Sequence, residues 1–198
     1  MKTKLERQGW TKIEQSGMMA GIAYRRKEGA RTFYISVSFS GPGKGMYGNR
    51  GSRCSGSLSS DRGHIKSANG NGSDKAGVAN WLGRHFEFFR TAGIREKDYE
   101  RFLKELETIQ KTNELIRGTG HAWDRERAGF PGRTIGGWGN ERPKPAERYQ
   151  AEKRAWFERQ IATRDRASRE IERMKQTFRT EQEQEEKREL MAADTAGR

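Results

Sequence analysis

Apolar and polar side chains alternate most clearly over residues 31–39, where Phe33, Ile35, Val37 and Phe39 interleave with Thr32, Tyr34, Ser36 and Ser38. A two-residue period predicts a strand with one apolar and one hydroxylated face. Residues 19–26 repeat the pattern, with Ala20, Ile22 and Tyr24 on one side. Residues 10–15 give a shorter strand with Trp10 and Ile13 on opposite faces. Gly17 and the Lys27-Glu28-Gly29-Ala30 segment supply the turns, Gly29 being free to take a positive φ. These strands predict a small three-stranded antiparallel sheet, which is stable only when something covers its apolar face.

The period then lengthens. Val78, Trp81, Leu82, His85, Phe86 and Phe89 recur at three- and four-residue spacing after a Ser73-Asp74 cap and before Gly93. That predicts an amphipathic helix. A second helix over residues 96–117 carries the stripe Tyr99, Phe102, Leu103, Leu106, Ile109, Asn113 and Ile116 and stops at Gly118. Two such helices joined by a few residues form a hairpin. Residues 146–191 contain neither Gly nor Pro and are rich in Glu, Arg, Lys, Gln and Ala, which favours one long helix after Pro143 and Pro145. The expected class is α+β: a small three-stranded antiparallel sheet packed on a helical hairpin, with a long C-terminal helix. The expected segmentation is an α+β domain at 1–118 with a Gly/Ser-rich basic loop at 40–72, a Gly/aromatic connector at 119–145, a charged helix at 146–192 and a disordered tail at 193–198.

Charge changes this picture by its placement. The net charge of +13 divides into +9 over residues 1–72 and +2 over each of residues 73–140 and 141–198. Clustered Lys and Arg displace counterions from phosphates, so the basic front third is the electrostatic footprint expected of a nucleic-acid binder. The competing explanation is that the excess only keeps the chain in solution. Only 31% of residues are hydrophobic and no apolar run is long enough to span a bilayer. The N-terminus has no apolar stretch of the secretion-signal kind. Cys54 is the single cysteine, which excludes a disulfide framework and a four-cysteine zinc site. A reducing, cytoplasmic setting is the simplest expectation.

Motifs that carry chemistry are sparse. Gly43-Lys44-Gly45-Met46-Tyr47-Gly48 spells G-x-G-x-x-G after a strand, but no helix opens there, so no dinucleotide cofactor is expected. His64, His85 and His121 lie far apart. His85 falls on a helix stripe, His64 lies near Asp61, and His121 lies near Asp124. Two candidate ligands do not make a metal site, and no spacing forces a base, an orienting group and a nucleophile together.

The first functional expectation is a non-enzymatic accessory protein that contacts the phosphate backbone of DNA or RNA. Its candidate residues are Tyr24, Arg25, Arg26, Arg31, Tyr34, Lys44, Arg50, Arg53, Arg62 and Lys66. The alternative is a protein-interaction or assembly component, such as a phage- or plasmid-encoded inhibitor or a virion protein. It would bind a partner or itself through Trp156, Phe157, Ile161, Ile171, Met174 and Phe178 on the 146–192 helix. A third reading is a nucleic-acid- or nucleotide-processing enzyme using His64 or His121.

Overall fold

A computed structural model of the chain describes residues 2–14, 21–45, 48–72, 74–136 and 139–196. Several sequence expectations therefore lie outside the described residues: Gln15 at the end of the first strand, the Gly17 turn, Met19 and Ala20 at the start of the second, Met46 and Tyr47 of the glycine motif, Ser73 of the helix cap and Trp138 of the connector. The chain divides into two compact units, one made of Met1–Glu100 and Thr177–Arg198, the other of Arg101–Gln176.

The first unit opens with a single helical turn, α1 (Lys4–Arg7), closed by a reciprocal Thr3–Glu6 capping box that buries Leu5. Strands β1 (Thr11–Ile13), β2 (Gly21–Glu28) and β3 (Arg31–Ser40) follow, and Glu28 pairs with Arg31 across a two-residue Gly29-Ala30 turn. Gly29 has φ +58°, the left-handed region that only glycine enters freely. A small ribbon of β4 (Gly43–Gly45) and β5 (Gly48–Arg50) precedes β6 (Arg53–Ser60) and β7 (Gly63–Asn71). The main sheet has five antiparallel strands in the order β1-β2-β3-β6-β7.

This overturns the expected three-stranded sheet and the reading of residues 40–72 as a loop. The physical reason lies in the glycines of β6 and β7. Helix α2 (Lys75–Ala92) presses close against these strands. A Cβ on Gly56 would meet Leu82 Cδ1 and Val78 Cγ1 at 3.0 Å, and one on Gly70 would meet Val78 Cγ2 at 2.8 Å. The residues that look like loop formers are the ones that let the helix approach. Only Cys54, Leu58 and Ile65 mark the buried side of these strands, and a register shift after Leu58 breaks their alternation.

α2 begins at the Asp74 cap, whose Oδ1 accepts from Gly77 N at 2.7 Å, and ends at Gly93 with φ +62°. It buries Ala79, Leu82, Phe86 and Phe89 against Trp10, Phe33, Ile35, Val37, Leu58 and Ile65 of the sheet. Trp10 and Phe33 meet Phe86 edge-on at 5.0 and 4.9 Å. A short 3₁₀ turn, Glu96–Asp98, leads into α3 (Tyr99–Arg117). The sheet is thus covered by α2, while α3 belongs from Arg101 onward to the second unit.

The second unit holds the rest of α3, then α4 (Ala122–Arg127), a two-residue ribbon of β8 (Thr134–Ile135) and β9 (Arg142–Pro143), and the first part of α5 (Ala146–Ala196). Trp156 is fully buried; its Nε1 donates to the Ala128 carbonyl at 2.9 Å and its ring packs edge-on against Phe130 and Phe157. Phe130 therefore pins the connector, whereas Trp123 is 54% exposed beneath the Arg127 guanidinium. α5 is helical as far as Ala196, so residues 193–196 continue the helix where a disordered tail was expected.

Candidate nucleic-acid interface

Strand pairing assigns every residue of the main sheet to one of two faces. One face lies under α2. The other carries Thr11 and Ile13 from β1, a buried Ala23 with Arg25 and Lys27 from β2, and Thr32, Tyr34, Ser36, Ser38 and Ser40 from β3; β6 adds Arg53, Ser55, Ser57 and Ser59, and β7 adds His64, Ser67 and Asn69. Thr11, Arg25, Lys27, Ser40, Arg53, Ser55, His64, Ser67 and Asn69 are exposed, and the others in that set, Ala23 apart, are half-buried by their neighbours. Hydroxyls cross-link the strands: Ser38 Oγ lies 3.0 Å from Ser55 Oγ, and Ser40 Oγ donates to the Arg53 carbonyl at 3.4 Å. Ser36, Ser38, Ser55, Gly56 and Ser57 line a shallow depression at the centre. No described strand residue on this face is Asp or Glu; Asp61, at the β6–β7 turn, borders it where its N–H donates to the Thr32 carbonyl at 3.1 Å.

The face sorts the sequence candidates into four groups. Arg25, Tyr34 and Arg53 are brought together on it. Tyr24 is not: it pairs with Ile35 on the α2 side and is 5% exposed, so it has no surface for a ligand. The remaining described cations meet carboxylates. Arg26 bonds Glu87 at 2.6 Å, pairs with Glu28, and sits over the Phe86 ring. Arg31 pairs with Glu96, which also accepts from Ser60 Oγ at 2.8 Å; burial lowers the Arg31 pKa, with the Arg62 charge adding to the effect. Arg62 meets Glu185 at 3.1 Å and Lys66 meets Glu100 at 3.0 Å. Tyr24, Arg26 and Arg31 therefore lie on one face of the sheet and Arg25, Lys27 and Tyr34 on the other, because adjacent residues of a strand point opposite ways. Lys44 and Arg50 lie in the β4–β5 ribbon, and their side chains fall outside what is described.

The histidines have modest surroundings. His64 Nε2 lies 3.1 Å from Ser67 Oγ, a base-and-hydroxyl pair, but among the described residues neither a carboxylate orients the ring nor an oxyanion donor faces Ser67. His121 precedes α4 at its N-cap without a side-chain bond to the helix. His85 is half-buried, with Nδ1 2.8 Å from the Tyr99 hydroxyl and its ring against Trp81; burial lowers its pKa. No group of three or more His, Cys, Asp or Glu among the described residues is placed to hold a metal ion.

Of the six candidate partner-binding residues on α5, Trp156, Ile171 and Met174 are buried within this chain, Phe157 and Phe178 are half-buried, and Ile161 is 39% exposed. Among the described residues, no helix is long and apolar enough to cross a membrane.

Sequence reasoning missed Ser55, Ser57, Ser59, Ser67 and Asn69 as a shared surface. The signal was the hydroxylated face of β3, which continues into β6 and β7 once those segments are strands. Comparison with protein families, with curated proteins and with solved structures finds nothing that matches this chain.

Proposed function

We propose that the chain binds single-stranded nucleic acid along the open face of its five-stranded sheet. The observation that carries this reading is a segregation of charge. Arg26, Arg31, Arg62 and Lys66 each have a carboxylate partner, whereas Arg25, Lys27 and Arg53 stand among hydroxyls and amides and meet no carboxylate among the described residues, Asp61 bordering the face only at its Thr32 end. Unpaired cations supply the counterion-release term that dominates polynucleotide affinity, and Ser and Asn side chains bond phosphate and sugar oxygens. Tyr34, half-buried at the middle of β3, offers one ring on which a base stacks.

The dimensions favour a single strand. Five strands at roughly 4.8 Å spacing make a platform ~19 Å wide. The duplex major groove is about 12 Å wide and admits a helix or a two-stranded ribbon. A platform of this width cannot enter it, but an unpaired strand can lie along it.

The test is a salt titration of the full chain against single-stranded DNA, single-stranded RNA and duplex DNA. Wild-type affinity for the single strands should fall steeply with salt. Changing Arg25, Lys27 and Arg53 together to Ala should flatten the log–log slope by about 2, at roughly 0.7 per phosphate contact on a single strand. An unchanged slope removes the reading.

A second reading, association with a protein partner or another copy, is favoured by Leu190 and Met191, which stand 71% and 74% exposed side by side on α5. Replacing both with Ser should lower the solution mass or abolish partner capture if that reading holds.

A further inference from the structure

The acidic end of α5 lies where an anionic ligand would be expected. Residues 177–196 belong to the first unit, and there α5 forms one wall of an open groove of about 510 Å³. The opposite wall presents Arg62, Arg95 and Lys97, while the helix presents Glu181, Glu185 and Glu189. These three carboxylates follow an i, i+4, i+8 spacing, so they share one helix face about 6 Å apart. Glu185 meets Arg62 at 3.1 Å and Glu181 meets Arg95 at 2.9 Å. Hydrogen bonds from Arg95 to Asp98 and Glu181 raise the Arg95 pKa.

Arg62 sits in the β6–β7 turn, directly before Gly63 and His64. Lys27 and Thr32 are cross-strand partners at the same end of β2 and β3, since the turn Gly29-Ala30 follows at once. A single strand laid along β3 from Arg53 past Arg25 to Lys27 therefore runs toward Arg62.

We infer that residues 181–189 are a built-in competitor: a row of carboxylates that occupies Arg62 and Arg95 and yields them to a polyanion. The inference rests on the open-face reading and adds its regulation. What makes the segment a competitor rather than a fixed part of the core is how weakly it is held. Phe178 is its last half-buried apolar anchor, lining a small cavity with Phe33, Phe89 and Ile94. No described side chain from residue 179 to residue 193 is buried. The Arg62–Glu185 pair is 56% and 52% exposed, and exposed pairs are individually weak and screened by salt. A polynucleotide offers the same cations a longer row of negative charge and gains counterion release as well. At low polyanion concentration the segment therefore screens the groove, and at high concentration it is displaced.

The experiment compares two full-length variants of equal net charge by fluorescence anisotropy with a labelled single-stranded oligothymidylate. One carries Glu181→Gln, Glu185→Gln and Glu189→Gln. The control carries Glu107→Gln, Glu114→Gln and Glu126→Gln in the second unit. The first should bind about fivefold tighter than the control at low salt, as expected for release of the exposed Arg62–Glu185 pair and the partly exposed Arg95–Glu181 pair. Its salt slope should be steeper by about 1.4, for two further phosphate contacts. Adding Arg62→Ala and Arg95→Ala should erase most of that difference. Equal affinities of variant and control, with wild-type binding still lost on changing Arg25, Lys27 and Arg53, overturn the competitor and leave the open-face reading standing. If no form of the protein binds the oligonucleotide, both fall.

Discussion

His85 shows how one residue's surroundings set a measurable property. Its imidazole is half-buried, packed on Trp81 and next to the Tyr99 hydroxyl. Burial penalises the protonated form, with the charges of Lys66 and Arg84 acting the same way, so the folded pKa lies below the ordinary value of 6.5. As pH falls, the unfolded chain takes up this proton first. The contribution is therefore fully present above pH 6.5, is lost as pH falls below it, and levels off below the folded pKa. His85→Gln should bring the urea midpoints measured at pH values of about 7.5 and about 5 closer together than they are in the wild type. An unaltered difference would mean that the burial has no energetic consequence. The sequence places His85 on the apolar stripe of a helix, and that placement already implies burial. It contains nothing about Tyr99 as the partner, because that contact depends on how the 3₁₀ turn after Gly93 redirects the chain.

At the scale of elements, the decisive contact is α2 on β6 and β7. Gly56 is hemmed in on three sides: an added methyl would meet Leu82, Val78 and the Ser36 carbonyl at 3.0 to 3.1 Å. Leu82 is a fully buried core side chain, Val78 is half-buried, and the third neighbour is backbone. Gly56→Ala should therefore destabilise the first unit by ~1–3 kcal/mol, read as a lower urea midpoint with an unchanged slope. If α2 shifts without cost, the midpoint will not move. The same contact explains which elements were legible. β3 announces itself because Phe33, Ile35 and Val37 face the helix and hydroxyl-bearing residues face away. β6 (RCSGSLSS) and β7 (GHIKSANGN) carry glycine, serine and asparagine, residues of low intrinsic strand preference. They are held in the sheet by pairing with β3 and by the fit of α2, both of which are long-range. The helices were readable from spacing and caps, since Asp74, Gly93 and Gly118 act within a few residues of the ends they set.

For the whole molecule, the charge excess of the front third was legible, but its division into two populations was not. Sequence order puts Arg25 beside Arg26, yet the strand turns them to opposite faces. Arg26 is built into the fold: its guanidinium bonds the Gln8 carbonyl at 2.8 Å and Glu87 at 2.6 Å, pairs with Glu28 and covers Phe86. Arg25 is exposed on the open face beside Tyr34 and Thr11, its cross-strand partners. The two neighbours should therefore respond in opposite ways to the same substitution. Arg26→Ala leaves charged and carbonyl acceptors without their donor and should cost ~1.5–3 kcal/mol of stability, while the salt slope of single-strand binding stays where it was. Arg25→Ala should leave the unfolding midpoint within roughly 0.5 kcal/mol of wild type and flatten the slope by about 0.7. Paired denaturation and anisotropy measurements on the two variants check this directly. If both lower the slope equally, the positive charge acts as a diffuse cloud around the front third rather than through one face. In that case the open sheet has no special claim on the polynucleotide.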